Sequence, residues 1–210
     1  MSEAFFSVDN LQFLGCGPFT FSLHKGECLG LSGQSGVGKT QLFRALSDLV
    51  PSTGNITFND KGKNDFAAVE WRSKVSMLPT DSVWWYENVG DHFKSASAKS
   101  FLLEMCPRLG LPEEIVDWQV SRLSTGEKQR LSLLRSLERK PEILLLDEPS
   151  SALDTENVMR LEALLHSLRV NNSMTLMWVS HDEPQLTRVC DRILVMEKDR
   201  NTDPSKCSEV

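Results

Sequence analysis

The segment from Gly33 to Thr40, Gly-Gln-Ser-Gly-Val-Gly-Lys-Thr, restricts the possible folds of this chain more than any other part of its sequence. It matches the pattern G-x-x-x-x-G-K-[ST], in which backbone N–H groups surround a chain of phosphates. Glycines let the backbone approach the phosphates and adopt positive φ, and the helix that follows offers unpaired N–H groups. We therefore predict a phosphate loop, with Lys39 as a mobile cation for the β- and γ-phosphates and the Thr40 hydroxyl as a ligand for Mg²⁺.

The residues on either side of this phosphate loop support the prediction. Residues 27–32 are typical of a short buried strand, and residues 39–50 carry apolar side chains at helical spacing. A chance glycine-rich turn is the alternative, but such a turn requires neither a strand before it nor a helix after it. We expect the nucleotide to contact the loop and the residue after it, namely Gly33, Gln34, Ser35, Gly36, Val37, Gly38, Lys39, Thr40 and Gln41.

Strand-like and helix-like segments alternate along the chain, which indicates an α/β domain with a mostly parallel sheet. Further strands are predicted at 55–59, 74–79, 142–147, 174–180 and 192–197, and an amphipathic helix at 156–170. Helical patterning dominates from about residue 80 to residue 130, so we predict a helical sub-region there. Residues 1–197 then form a single domain, and the polar stretch 198–210 is expected to be a frayed tail.

Two carboxylates, Asp147 and Glu148, follow the apolar run at 143–146. In open α/β sheets ligands bind beyond the carboxyl ends of the strands, so these two groups can face the phosphate loop. We expect Asp147 to hold Mg²⁺ and Glu148 to polarise an attacking water. The alternative is a strand that simply ends in solvated acids, which is common. The phosphate loop in the same chain favours the functional interpretation.

Three further motifs give the chain a specific resemblance. Residues 123–130, Leu-Ser-Thr-Gly-Glu-Lys-Gln-Arg, resemble the LSGGQ signature of ATP-binding cassette (ABC) ATPases. Ser-Ala-Leu-Asp at 151–154 resembles the D-loop of that family, and His181 resembles its switch histidine. The resemblance extends from about residue 6 to residue 195. It implies an α/β phosphate-loop NTPase of ABC type, with an N-terminal antiparallel β sub-region beside a mostly parallel sheet and an inserted helical sub-region.

The resemblance also implies a mechanism, with ATP and Mg²⁺ as cofactors. Two cassettes of this family enclose two ATP molecules head to tail, so we expect a homodimer. Ser124 and Gly126 are then expected to contact the γ-phosphate bound to the other copy, and Asp154 to connect the two sites. His181 is expected to hydrogen-bond the γ-phosphate and the attacking water, although a single histidine is more often a surface or core residue. The predicted catalytic residues are Glu148, His181 and Lys39.

Three positions either have an alternative interpretation or depart from the family pattern. Phe13 lies where the family has a ring that stacks on adenine, and a core phenylalanine is the alternative. Thr80 occupies the place of a glutamine that contacts Mg²⁺, and its shorter hydroxyl would reach the ion through a water. Thr125 replaces the first signature glycine, and its Cβ restricts φ and crowds the phosphate. We expect slower hydrolysis or altered coupling from these two threonines, without loss of activity.

The amino-acid composition limits the partners and the cellular location that we expect for this chain. Lys plus Arg is 23 and Asp plus Glu is 29, and a net charge of −6 does not favour nucleic acid as a partner. No apolar run reaches the roughly 18–20 residues of a membrane-spanning helix, and the N-terminus lacks the features of a signal peptide. Five scattered cysteines without a C-x-x-C pair indicate reduced cytosolic thiols. We expect a cytoplasmic protein that is peripheral on the inner face of the cell membrane.

A transport role would require a separate integral membrane permease. Residues 84–86, Trp-Trp-Tyr, follow Thr80 where the family docks short helices of the permease, and packing within the helical sub-region is the alternative. The segments 110–112, 126–130 and 178–182 resemble the small ATPase subunits of bacterial Fet-type iron exporters. A rival function is a non-transport cassette that drives a signalling or cell-envelope complex by dimerising. A multi-span permease encoded beside this chain would favour transport.

Overall fold

A six-stranded sheet forms the centre of the protein. The computed structural model describes residues 4–198 and 205–209. The strand order is β10-β9-β3-β8-β7-β6, and every neighbouring pair is parallel except β9 and β10. Its strands are β3 (Cys28–Gly33), β6 (Val75–Leu78), β7 (Ile143–Asp147), β8 (Thr175–Val179), β9 (Arg192–Lys198) and β10 (Ser205–Glu209). The predicted parallel sheet is confirmed.

A smaller antiparallel sheet is built mainly from the N-terminal part of the chain. Its four strands are ordered β2-β1-β4-β5. They are β1 (Phe6–Phe13), β2 (Cys16–Leu23), β4 (Thr53–Phe58) and β5 (Lys61–Gly62). The antiparallel sub-region implied by the family resemblance is therefore present.

Six α-helices connect the strands in the described part of the chain. They are α1 (Lys39–Leu46), α2 (Ala68–Lys74), α3 (Ala96–Met105), α4 (Thr125–Leu137), α5 (Thr155–Asn172) and α6 (Glu183–Val189). Between β6 and α4, the only α-helix is α3, and it is joined by short 3₁₀ turns at Val89–His92, Pro107–Leu109, Glu113–Asp117 and Val120–Arg122. The helical sub-region is thus composed more of single turns than of long helices, since Pro107, Gly110 and Pro112 interrupt it.

Apolar clusters cover both faces of the central sheet. Along β7, Ile143 and Leu145 pack into the cluster that contains the antiparallel sheet and α1, whereas Leu144 and Leu146 pack into the cluster that contains α3, α4 and α5. All four side chains are fully buried. Burial on alternating faces explains why this strand is a continuous apolar run. Each side chain contributes roughly 1.5–3 kcal/mol to the free energy of folding.

The end of the chain differs from the expected frayed tail. Residues 205–209 form β10, which pairs with β9 in antiparallel register from Ser205 opposite Lys198 to Glu209 opposite Leu194. The prediction failed because polar residues at a sheet edge need only backbone hydrogen bonds, which leave little trace in the hydropathy pattern. The remainder of the predicted tail, residues 199–204 and 210, lies outside the described residues.

The strand order determines where the predicted functional residues lie. In the sheet β8 lies between β3 and β7, and the three strands run in the same direction. Their carboxyl ends are Gly33, Val179 and Asp147. The phosphate loop, the acidic pair and His181 therefore leave the sheet at the same edge, which is the edge where open α/β sheets bind ligands.

Candidate functional site: a phosphate-binding cleft

The phosphate loop connects β3 to α1 through residues with positive φ. Gly33, Gly36 and Gly38 have φ of 144°, 75° and 111°. A Cβ at position 33 would lie 2.4 Å from the backbone oxygen of Met196, so only glycine fits there. Gly38 precedes the first residue of α1 and provides no side-chain cap. The N–H groups at the start of this helix therefore remain available to an anion.

The Lys39 side chain is hydrogen-bonded to the backbone of the phosphate loop. Its Nζ donates hydrogen bonds to the backbone oxygens of Gly33, at 2.7 Å, and Gln34, at 3.2 Å. The side chain is only 6% exposed. Burial lowers the pKa of Lys39 from its ordinary value, whereas the nearby carboxylates of Glu148 and Asp147 act in the opposite direction. The lysine ammonium thus lies beside two carboxylates at the bottom of the loop.

A cleft of about 410 Å³ opens above this loop. It brings together residues from four separate segments of the sequence, and all of its lining residues except Val179 were predicted as site residues. These are Ser35, Gly36, Gly38, Lys39, Thr40, Gln41, Thr80, Asp147, Glu148 and His181. The convergence of a lysine, two carboxylates, a hydroxyl and a histidine in one cleft suits phosphoryl chemistry.

The cleft contains oxygen atoms of the kind that Mg²⁺ prefers. The Thr40 hydroxyl donates to Asp147 Oδ2 at 2.9 Å, so a hydroxyl and a carboxylate already lie side by side. Gln41 Oε1 is buried and has no hydrogen-bond partner. Among the residues that the structure describes, no group of three or more His, Cys, Asp or Glu side chains could hold a metal by itself. The donor set therefore fits a cation that completes its shell with phosphate oxygens and water.

Thr80 lies at the side of this cleft, after β6. Its hydroxyl donates to the backbone oxygen of Asp147 at 3.2 Å. The residue is exposed, and it also lines the cleft. The threonine therefore contacts the main chain of the acidic segment and leaves open space where a longer side chain would reach.

Glu148 and His181 face each other across the cleft. His181 Nε2 lies 3.6 Å from Glu148 Oε1, and the two side chains are 60% and 17% exposed. The Glu148 backbone has a φ of 53°, and its N–H donates to Val179 O at 3.1 Å, so the acidic segment turns away from the sheet at this residue. Burial raises the pKa of Glu148 above its ordinary value, and the neighbouring His181 opposes the rise. A carboxyl group with a raised pKa is a suitable proton acceptor.

Gln129 is a site residue that the sequence reasoning missed. This side chain of α4 is 5% exposed, and its Nε2 donates to Glu148 O at 2.8 Å and to Ser151 Oγ at 3.3 Å. Its Oε1 accepts from Ala152 N at 3.2 Å. One amide thus holds the segment 148–152 against α4. A polar residue among the buried positions of an amphipathic helix is the sequence signal that could have identified it.

Ser124 and Gly126 lie at the N-terminus of α4 and are absent from the described lining of the cleft. Ser124 caps the helix: Glu127 N donates to its hydroxyl at 3.2 Å, and Glu127 Oε2 accepts from Ser124 N and Oγ, both at 2.8 Å. A Cβ at Gly126 would lie 2.8 Å from Ala152 O, so glycine allows close packing on the D-loop segment. Thr125 is the first residue of α4, and its φ is not positive, so its Cβ causes no strain.

Asp154 lies at the start of α5, outside the described lining of the cleft. Its carboxylate accepts from Asn157 N at 2.9 Å and from Asn157 Nδ2 at 3.0 Å. The hydrogen bond from the backbone N–H of Asn157 lowers the pKa of Asp154. In this structure Asp154 is an exposed helix cap.

Phe13 lies in the core. It is 3% exposed and stacks on Phe19 with ring centroids 5.4 Å apart. The neighbouring Leu14 is 65% exposed at the turn between β1 and β2. These contacts favour the core alternative over an adenine-stacking role, because little of the Phe13 ring face is free. Gly33, Gln34 and Val37 belong to the loop but do not line the described cleft.

These features define the class of protein: a phosphate-loop NTPase with a parallel sheet and an antiparallel N-terminal sheet. Residues 16–151 match the family model described as "ABC transporter". The chain therefore belongs to the ABC transporter family, as an ATP-binding cassette that hydrolyses ATP.

Individual relatives agree with this assignment. The chain is 29% identical over 185 residues to the probable iron export ATP-binding protein FetA of Escherichia coli K12, with 84% of this chain and 82% of the relative covered. It is 33% identical over 193 residues to the methionine import ATP-binding protein MetN 1 of Bacillus anthracis, of which it spans only 55%, with 85% of this chain covered.

Solved structures show the same fold. The dimeric post-hydrolysis structure of the ATP-binding cassette MJ0796 bound to ADP and Pi superimposes with a TM-score of 0.79 at 20% identity, over 90% of this chain and 93% of that one. A bacterial Atm1-family ABC exporter with ATP bound gives a TM-score of 0.79 at 23% identity, over 91% of this chain and 37% of that one. In the described part of our chain, no helix has both the length and the apolar character needed to cross a bilayer.

Proposed function

We propose that this chain is the nucleotide-binding subunit of a membrane transporter and that two copies bind two Mg-ATP molecules head to tail. The observation that carries the proposal is the cleft that gathers Lys39, Thr40, Asp147, Glu148 and His181 at one sheet edge. The signature serine, Ser124, is exposed at a helix N-terminus that does not line this cleft. A second copy is therefore needed to bring a signature segment to the triphosphate.

The proposed hydrolysis is an in-line attack of water on the γ-phosphorus. The loop N–H groups and Lys39 bind the triphosphate, and Thr40 and Asp147 would hold Mg²⁺, which would neutralise phosphate charge. Glu148 accepts a proton from the attacking water, the bond between the γ-phosphorus and the bridging oxygen breaks, and ADP leaves. His181, 3.6 Å from Glu148, orients the water and the γ-phosphate.

Thr80 offers a test of how the missing glutamine affects the site. Because the Thr80 hydroxyl reaches only the main chain of Asp147, a longer amide at this position would extend into the cleft. We expect Thr80→Gln to change the ATPase rate, or its stimulation by the partner, by about two- to tenfold, the worth of one net hydrogen bond. Steady-state phosphate release measures this effect.

The control is Thr80→Ser, which keeps a hydroxyl and should behave as the parent chain. Equal turnover and equal partner stimulation in Thr80→Gln and the parent would contradict a role for position 80 in coupling.

A groove beside Thr80 has the character of a docking site for the permease. The Arg135 guanidinium contacts the rings of Trp84 and Trp85, with its carbon 4.7 and 4.6 Å from the ring centroids. Trp85 and Leu49 are 56% and 55% exposed, and both line a cavity of about 230 Å³ together with Arg72, Arg135 and Arg139. Exposed aromatic groups among arginines suit a short helix that carries apolar and acidic side chains.

Co-purification tests the transport proposal. We expect a tagged full-length chain, isolated from detergent-solubilised membranes, to retain an integral protein with several spans. Trp85→Ala should reduce that recovery about tenfold or more, because buried interface tryptophans are frequent hot spots. The control is Val170→Ala, an exposed residue at the end of α5, outside the described lining of the groove.

The identity of the retained protein separates the two candidate functions. A permease supports transport and a location at the inner face of the membrane, whereas a non-permease envelope or signalling protein supports the rival. The FetA relative makes iron export the first cargo to test, by measuring the iron retained in cells that lack this chain. Unchanged cellular iron would exclude that cargo while leaving the permease result intact.

A further inference from the structure

Two cysteines that are distant in sequence meet on the side of the sheet that carries α5 and α6. Cys28 is the first residue of β3, and Cys190 directly follows α6. The Cys28 thiol donates to Cys190 Sγ, and the two sulfur atoms are 3.7 Å apart. A disulfide bond is about 2.0 Å long, so the sulfurs need to approach by about 1.7 Å to form one.

Contacts around the pair hold the two backbone segments beside each other and leave space for the Cys190 sulfur. A Cβ at Gly30 would lie 3.1 Å from Cys190 Sγ, so the glycine leaves the space in which this sulfur lies. The Cys28 backbone bonds to Asp191 in both directions: its N–H donates to Asp191 Oδ2 at 2.7 Å, and its oxygen accepts from Asp191 N at 2.8 Å. Asp191, the residue that follows Cys190, is therefore fixed relative to β3.

The two cysteines differ in solvent exposure, and both border a cleft. Cys28 is fully buried, whereas Cys190 is half-buried. Both line a cleft of about 450 Å³, together with Arg169 and Arg188. A small reagent can enter this cleft, and it meets Cys190 first because Cys190 is the more exposed of the two thiols.

The other cysteines lack this arrangement. Cys106 is fully buried and has no sulfur partner among the described residues, and burial raises its pKa to about 11. Cys16 lies against the phosphate loop, where a Cβ at Gly38 would be 3.7 Å from its sulfur. The Cys207 side chain lies outside the described residues.

We infer that Cys28 and Cys190 form a reversible dithiol–disulfide pair whose oxidant is a low-molecular-weight disulfide of the glutathione type. The Cys190 thiolate attacks one sulfur of the disulfide, its S–S bond breaks, and one glutathione leaves and takes up a proton. Cys28 then loses its proton to solvent and attacks Cys190 Sγ, which releases the second glutathione. Two protein thiols are oxidised, and one glutathione disulfide is reduced to two thiols.

The second step is the slower one at neutral pH. The hydrogen bond to Cys190 and burial raise the pKa of Cys28 well above its ordinary value; Asp191 adds to the rise and Arg169 opposes it. The Cys28 thiolate is therefore scarce at neutral pH, and closure of the disulfide accelerates as pH rises toward that pKa. The bond would join β3, which leads into the phosphate loop, to α6, which follows His181.

Peptide mapping of the unmodified full-length chain tests the inference. The chain is incubated with oxidised glutathione, quenched with acid, alkylated and digested. We expect a linked peptide pair containing Cys28 and Cys190, at a mass lower by two hydrogen atoms, formed at least tenfold faster than any modification of Cys106. Dithiothreitol should restore both thiols.

Two variants identify the order of the steps. Cys28→Ser should stop at a glutathione adduct on Cys190, and the control Cys106→Ser should leave the linked pair unchanged. Two thiols that stay reduced, or that each carry a separate glutathione without a linked peptide in the parent chain, would overturn the inference.

Discussion

Replacing Glu148 by glutamine is expected to lower the rate of ATP hydrolysis by about 10²- to 10⁴-fold while ATP binding persists. The amide keeps the shape of the side chain but cannot accept a proton from water. Because Lys39, Thr40 and Asp147 are unchanged, ATP should stay bound and hold two copies together. Single-turnover phosphate release and light scattering under saturating Mg-ATP measure the two effects.

The matched control is Glu183→Gln, an exposed residue in the first turn of α6 that should hydrolyse ATP as the parent does. The pH profile gives an independent check. Burial raises the pKa of Glu148 above 4.5, and the base acts in its deprotonated form, so activity is lost as pH falls through the raised pKa. The glutamine variant should lack this acid limb. A monomer in saturating Mg-ATP would contradict the head-to-tail proposal, and undiminished turnover would contradict the role of Glu148.

Replacing Lys39 by alanine is expected to weaken ATP binding by about 10²-fold, because charge-assisted hydrogen bonds contribute roughly 1.5–3 kcal/mol each. In this structure the Lys39 ammonium donates to two loop carbonyls, at 2.7 and 3.2 Å. The variant loses the phosphate contacts and these two bonds as well. Isothermal titration with ATP in the presence of Mg²⁺ measures the affinity.

The control for surface charge is Lys99→Ala, an exposed residue of α3, which should bind ATP normally. Thermal unfolding without nucleotide separates damage to the loop from lost phosphate contacts. An affinity within twofold of the parent, in a variant that folds normally, would show that Lys39 is not a phosphate ligand.

Much of the cleft could be predicted because its residues are carried on short, regular connections. A glycine-rich loop between a strand and a helix, and two acids after an apolar strand, have only one arrangement in a parallel sheet. Whether a given side chain lies in the core or at the surface of the cleft depends on packing in three dimensions, and the sequence alone does not predict it. Phe13 stacks on Phe19 in the core, although a phenylalanine at that sequence position is equally compatible with an exposed ring.

Dependence on three-dimensional contacts also explains the other differences between the predictions and the structure. The capping of α4 pairs Glu127 with Ser124, a side chain that the signature resemblance links to a nucleotide instead. The strand at 205–209 gains its order from pairing with β9, a contact between two segments of the chain that hydropathy does not encode. The contacts of Gln129 were missed because they join a helix to a loop more than fifteen residues further along the chain.

The three hydrogen bonds of the Gln129 amide join α4 to the segment 148–152. The proposed phosphate contact, Ser124 at the N-terminus of α4, and the proposed general base, Glu148, are thus connected through this one buried side chain. If the N-terminus of α4 moves toward a neighbouring copy in the proposed dimer, we expect the main chain at Glu148 to shift with it, which would couple the two nucleotide sites.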